Sequence, residues 1–190
     1  MTDVTDVTDM TDVSAAKQAG HLEALSPLHV VVMGVAGCGK SAVGLRIAQR
    51  LALPLIEGDA FHPPSNVGKM RRGVALTDED RGGWLTALGS ELQRHPGGAV
   101  LTCSALKAAY RQRLRAAVSR LRFVHLALDQ EDALRRVAAR AGHFYPPSLV
   151  ATQFEALQDP AMEAGVMVID AMLSLDEVAT RAVTWLMTPG

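Results

Sequence analysis

The chain has 190 residues, the size of one domain with room for a small lid. Apolar residues make up 48%, enough for a sizeable core, but aromatics only 4%, so alanine, leucine and valine must fill it. The 19 lysines and arginines against 20 aspartates and glutamates leave a net charge of −1, which gives no electrostatic reason to expect nucleic acid or an anionic membrane as a partner.

Cys38 and Cys103 are too few for a disulfide scaffold and read as free thiols of a reducing compartment. No apolar run approaches the roughly 20 residues of a membrane span. The opening MTDVTDVTDMTDV has neither the positive nor the apolar region of a secretory leader. A cytoplasmic protein is expected.

Residues 2–13 repeat Thr-Asp-Val/Met four times. The tract is acidic and poor in bulky residues, so a disordered tail is expected over 1–27, followed by one domain over 28–190. HVVVMGV (29–35) is a short β-branched run, and KSAVGLRIAQRLA (40–52) follows with helical spacing at Val43, Ile47 and Leu51. PLIEG (54–58) is a second strand. Thr77-Asp78-Glu79-Asp80 reads as a capping box opening a helix to about Arg94. AVLTCS (99–104) is a third strand, with a basic helix from Lys107 to Ser119. FVHLAL (123–128) is a fourth strand, after which Asp129 caps a helix reaching Arg140. GHFYPP (142–147) breaks the pattern, and Ser148 is expected to cap a short helix through Leu157. VMVIDA (166–171) is the fifth strand, and Ser174-Leu-Asp-Glu177 a second capping box that opens the last helix. Strands alternating with helices imply right-handed βαβ units: an α/β fold of three layers, α/β/α, around a five-stranded parallel sheet.

The strongest motif is 34-GVAGCGKS-41, matching G-x-x-x-x-G-K-[ST] between a predicted strand and a predicted helix. Gly34, Val35, Ala36, Gly37, Cys38 and Gly39 form a loop whose backbone N–H groups can curl around phosphate, helped by the helix dipole. Lys40 should reach the β/γ-phosphates and the Ser41 hydroxyl should ligate Mg²⁺. A nucleoside triphosphate is therefore the expected ligand. Cys38 reads as incidental, since its position has only to offer an N–H. The guanine-reading N-K-x-D is absent, because the single Asn66 is followed by Val-Gly-Lys. What remains is a small phosphoryl-transfer enzyme that holds an acceptor beside the γ-phosphate.

In such a sheet ligands bind at the carboxyl ends of the strands. Asp59 is placed to orient an attacking hydroxyl. Glu57 alternates with it around Gly58, so both are expected on one face near the Mg²⁺ water shell. Asn66 and Lys69, three apart, share a helical face, and Arg81 and Trp84 repeat the spacing. Lys69 and Arg81 suit an anionic acceptor, His62 and Asn66 its hydroxyls; a polyhydroxylated acid fits both. Arg136 and Arg140 lie four apart before the Gly142 hinge, which suits a lid over about 136–150 that brings arginine to the transferring phosphate.

These residues resemble the short P-loop, thermoresistant-type gluconokinases, relatives of shikimate kinase and the nucleoside monophosphate kinases. The likeness rests on GVAGCGKS, GDAFHPPSNVGKMRRG, LTDEDRGGWL, CSALKAAYR, RAGHF and LVATQFEALQDP, and covers about 29–187. It implies ATP-dependent phosphorylation of D-gluconate at its 6-hydroxyl, feeding the pentose phosphate or Entner–Doudoroff routes, and a homodimer. Carried over, Asp59 would meet the acceptor hydroxyl, His62, Lys69 and Arg81 would line the gluconate pocket, Ser104 and Lys107 would lie at the third strand's end, and Arg140 and His143 in the lid. Glu57 departs from a usual aspartate, and Ala75 from a usual proline. Two readings stay open beside this one: another small-acid kinase of the same fold, such as shikimate kinase, and a nucleotide-binding regulator without transfer activity.

Overall fold

The computed structural model describes residues 27–139 and 145–188. The Thr-Asp repeat with its expected disorder lies outside the described residues, as do Arg140, Gly142 and His143 of the expected lid.

Five strands form one parallel sheet: β1 (Leu28–Met33), β2 (Leu55–Glu57), β3 (Gly98–Thr102), β4 (Arg122–Ala127) and β5 (Val166–Asp170), in the order β2-β3-β1-β4-β5. The strand order reverses on either side of β1. A crevice therefore opens at its carboxyl end, where the phosphate loop begins. Register fixes the neighbours there: Thr102 stands level with Val32 on one side and with Glu57 on the other.

The apolar runs of the strands face helices on both sides, so alternate residues go to separate cores. Val30, Val32, Val100, Val124 and Leu126 pack with α1 (Lys40–Leu51), α5 (Gln130–Ala138), α6 (Val150–Ala156) and α7 (Leu175–Leu186). Val31, Met33, Leu101 and Phe123 pack with α3 (Asp78–Gln93) and α4 (Ala108–Ala117). Leu88, Leu92 and Leu114 are fully buried in this second core, and each such leucine contributes roughly 1.5–3 kcal/mol.

Local chemistry sets the helix starts. Thr77 accepts from Asp80 N–H while Asp80 accepts from Thr77 N–H, and Ser174 and Glu177 do the same. The Asp129 carboxylate takes the N–H of Asp132 at 2.7 Å. The helix α2 (Pro64–Arg71) opens on a proline, whose missing N–H costs nothing at that position.

Two expectations need correction. Ser148 caps nothing: Pro147–Leu149 is a 3₁₀ turn that runs straight into α6, which has no side-chain cap. Pro147 occupies the turn's first position, so Ser148 falls inside the turn, with its Oγ beside Gly73. The second concerns Glu57 and Asp59, which do not alternate along a strand. The strand ends at Glu57 and Gly58–Phe61 is a 3₁₀ turn, because Gly58 N–H turns in to Thr102 Oγ1 at 3.3 Å. A Cβ at Gly58 would sit 2.1 Å from the Thr102 carbonyl oxygen, so the chain can turn that tightly only on glycine.

Candidate active site

Between β1 and α1 the loop of Gly34 to Gly39 closes on itself. Gly37 has φ +84° and its missing Cβ would lie 2.9 Å from the Ala133 carbonyl, so glycine is required on both counts. Gly39 is the N-cap of α1 at φ +96°, with no side chain to occupy the helix's first N–H groups. Those donors, with the dipole behind them, face the crevice and suit phosphate oxygens. Lys40 bends over the loop and its Nζ donates to the carbonyls of Gly34 and Val35 at 3.1 and 3.0 Å. Cys38 is 3% exposed and packs in the core, so its thiol does not face the crevice.

The loop is anchored from elsewhere. Gly34 N–H donates to the Ser104 carbonyl at 3.3 Å. Ala36 N–H donates to Gln153 Oε1 of α6 at 2.5 Å. Arg136 of α5 holds the Ala171 carbonyl with both terminal nitrogens at 3.2 Å and reaches the Gly37 carbonyl at 3.5 Å.

Beside the loop, Glu57 Oε2 accepts from Ser41 Oγ at 3.1 Å and from Thr102 Oγ1 at 2.7 Å. Among the described residues no three His, Cys, Asp or Glu side chains gather around one point. A hydroxyl and one carboxylate are hard oxygen donors, which fits Mg²⁺ completed by phosphate oxygens and water rather than an all-protein cage.

One cleft continues from Gly37, Gly39, Lys40 and Ser41 to Asp59, His62, Arg81 and Ser104. The half-buried His62 lies flat against Trp84, which in turn donates Nε1–H to the Gly58 carbonyl at 2.8 Å. Burial lowers the pKa of His62 to about 4; the negative Asp59 opposes the shift and the positive Arg81 adds to it. The imidazole is therefore neutral at pH 7. Arg81 is steadied by the Leu76 carbonyl, 2.5 Å from its Nη1.

Four of the expected acceptor residues stand behind this wall rather than in it. Asn66 is 2% exposed; its Nδ2 donates to the Asp80 carbonyl at 2.9 Å and faces His62 Nδ1 at 3.5 Å. Lys69 pairs with Asp80 at 2.6 Å, and Lys107 with Asp78 at 2.6 Å, where the Tyr110 hydroxyl also donates. Trp84 supports His62 from the core. Conversely, Met70, Leu76, Val137, Tyr145 and Gln153 line the cleft without having been singled out from sequence. The first two form a small apolar cluster with Leu149, against which Tyr145 packs. Being apolar or remote along the chain, they carry no local signal of chemistry; Gln153 sits within LVATQFEALQDP, the one hint available.

No family model matches the chain. Gluconokinase of Gluconobacter oxydans is 43% identical over 146 residues, 75% of this chain and 82% of that protein. Thermoresistant gluconokinase of Escherichia coli is 40% identical over 157 residues, 80% of this chain and 90% of the relative. The crystal structure of a gluconokinase from Sinorhizobium meliloti matches with a TM-score of 0.78 at 44% identity, covering 85% of this chain and 92% of the other. A phosphate loop opening into a polar cleft accords with these likenesses, and the chain belongs to the gluconokinase family.

Proposed function

We propose that the protein transfers the γ-phosphoryl group of ATP to the 6-hydroxyl of D-gluconate, giving 6-phospho-D-gluconate and ADP. The observation that carries this reading is one cleft joining Lys40 and Ser41 to Asp59, His62 and Arg81. Phosphate chemistry and a site for a hydroxylated anion thus share a wall.

In the reaction the gluconate oxygen forms its bond to phosphorus as the bond from phosphorus to the β,γ-bridging oxygen breaks. The transition state is loose, so orientation and charge matter more than early proton removal. Asp59 accepts a hydrogen bond from the 6-hydroxyl, aims it, and takes its proton as the new bond forms. Lys40 leaves its carbonyl partners for the phosphates, and Arg140 is assigned the charge that develops on the transferring group. Mg²⁺ would be held by Ser41, with Glu57 meeting its water shell; when bound it neutralises phosphate charge. Neutral His62 offers a ring nitrogen to a gluconate hydroxyl, and Arg81 meets the carboxylate. Asn66, Lys69, Trp84 and Lys107 support this wall from behind, and His143 belongs with the lid. Arg136 steadies the loop at its nucleotide side.

No described helix is long and apolar enough to cross a membrane. The family resemblance further supports a cytoplasmic homodimer. The test is turnover on a panel with ATP and Mg²⁺: gluconate should exceed shikimate, glucose and AMP by a wide margin. Equal or absent turnover across the panel refutes the reading, and preference for shikimate would favour the other small-acid kinase.

A further inference from the structure

The phosphate loop has an anchor that the chemistry above does not use. Gln153 of α6 is 8% exposed, lines the cleft, and its Oε1 lies 2.5 Å from the Ala36 nitrogen, 117 residues away along the chain. The loop's other holds are longer: Gly34 N–H to the Ser104 carbonyl at 3.3 Å, Cys38 N–H to the Val35 carbonyl at 3.4 Å, and Lys40 Nζ to the Gly34 and Val35 carbonyls at 3.1 and 3.0 Å. Gln153 therefore makes the shortest of the loop's holds, one residue before Gly37, where the donors for phosphate begin.

Its position on α6 gives the hold a second end. The helix follows directly on the 3₁₀ turn Pro147–Leu149, and Tyr145, just before that turn, lines the same cleft. The Tyr145 hydroxyl donates to the Leu149 carbonyl at 3.0 Å, and burial pushes its pKa up to about 12, opposed first by the positive Arg81. Tyr145, Gln153 and Ala36 thus connect the acceptor side of the cleft with the nucleotide side.

We propose that Gln153 is a positioning residue for the nucleotide: its side-chain carbonyl fixes the Ala36 N–H and so holds the next donors of the loop in the geometry that receives the triphosphate. A loop held in place beforehand spends less ordering on binding. The inference rests on reading the loop as the ATP site, but not on gluconate being the acceptor.

The test is calorimetry of ATP with Mg²⁺ on the full chain, without acceptor, for the wild type and Gln153→Met. The methionine keeps the length and removes the oxygen. The ATP Kd should rise about ten-fold, the equivalent of one lost hydrogen bond, while the KM of gluconate stays unchanged and the Ala36 amide-proton resonance moves upfield before nucleotide is added. An unchanged ATP Kd overturns the proposal, as does a parallel loss of ATP and gluconate affinity, which would mark Gln153 as packing only. Should the methionine variant not fold, Gln153→Asn keeps the amide but draws its oxygen back from the Ala36 N–H. Its ATP Kd must then rise without loss of gluconate affinity, and an unchanged value overturns the proposal equally. A wild type that binds ATP but ignores gluconate would refute the acceptor assignment alone.

Discussion

The rings of His62 and Trp84 are stacked, with centroids 4.1 Å apart and planes 14° from parallel, so the aromatic body of one cleft residue rests on a buried indole. Burial is the largest cause of the depressed pKa of His62, and the stacked indole is part of that burial. An unfolded histidine takes up a proton below about 6.5 whereas the folded one waits until about 4. Stability from this group is complete above about 6.5 and is lost as pH falls towards about 4. The Tm of the wild type should fall more than that of His62→Phe over this window, and equal slopes would refute it. An NMR titration of the His62 ring should show it neutral at pH 6.

Trp84 holds this arrangement by a second contact, its Nε1–H to the Gly58 carbonyl. Trp84→Phe keeps a ring under His62 but strands that buried carbonyl, at a cost of about 1–3 kcal/mol. The Tm should drop and the KM of gluconate rise, with the KM of ATP unchanged. A rise in the KM of ATP instead would place Trp84 in the wrong half of the site.

Glu57 departs from the aspartate usual in the resembled family, and its longer side chain finds two hydroxyl donors at once, Ser41 and Thr102. Glu57→Asp shortens the reach and should lose at least one of them. The Mg²⁺ concentration for half-maximal activity should then rise about 10-fold, the usual scale for a disturbed outer partner of a metal site. Thr102→Val, which removes one donor and leaves the carboxylate, should have a smaller effect in the same direction. A magnesium titration of both variants checks this; a larger effect from Thr102→Val would contradict it.

The Lys69–Asp80 pair shows what spacing along the chain can and cannot reveal. Asn66 and Lys69 do share a face of α2, as three-residue spacing requires, but that face turns to Asp80 rather than into the cleft. Periodicity says which side chains are neighbours; only packing says where the face points. The fold was legible for a related reason: β-branched runs, capping boxes at Thr77 and Ser174, and the glycine loop are local signals, and local rules set those elements. Ser148 misled because Pro147 claimed the turn's first position. The link from Ala36 to Gln153 was illegible because no rule of spacing spans 117 residues.

Asp80 takes hydrogen bonds from Lys69 at 2.6 Å and from Thr77 N–H at 2.9 Å, and these, Lys69 first, lower its pKa to about 2. For a depressed carboxylate the stability is present above the ordinary value of 3.8 and is lost as pH falls towards about 2. Asp80→Asn should lower the Tm at pH 7 and lessen the decline between those limits. Acid titration followed by circular dichroism checks it, and an undiminished decline would refute the assignment.

Arg111 of α4 is a fully buried arginine whose charge is met from three directions. Its Nε donates to both oxygens of Glu163 at 3.0 and 3.1 Å, Nη1 to the carbonyls of Ala105 and Leu106 at 2.9 and 2.8 Å, and Nη2 to that of Gln158 at 3.1 Å. Ala105 carries a φ of +43°, unusual for a residue with a Cβ, and it directly follows Ser104, which lines the cleft. Arg111 thus clamps a strained turn that sets one wall of the site. Glu163→Gln keeps the shape and removes the countercharge, so the buried guanidinium is left poorly compensated at a cost of about 3 kcal/mol, the low end for a broken buried pair because Glu163 is partly exposed. Hydrogen bonds from Arg111, and then Arg115, hold the Glu163 carboxyl below its ordinary value. The wild type's advantage over the variant should therefore be full at pH 7 and shrink as acid protonates Glu163, starting below about 4.5. Denaturant unfolding of both proteins at a series of pH values measures this difference. A gap that stays constant into acid would mean that the loop is held by the carbonyl contacts alone.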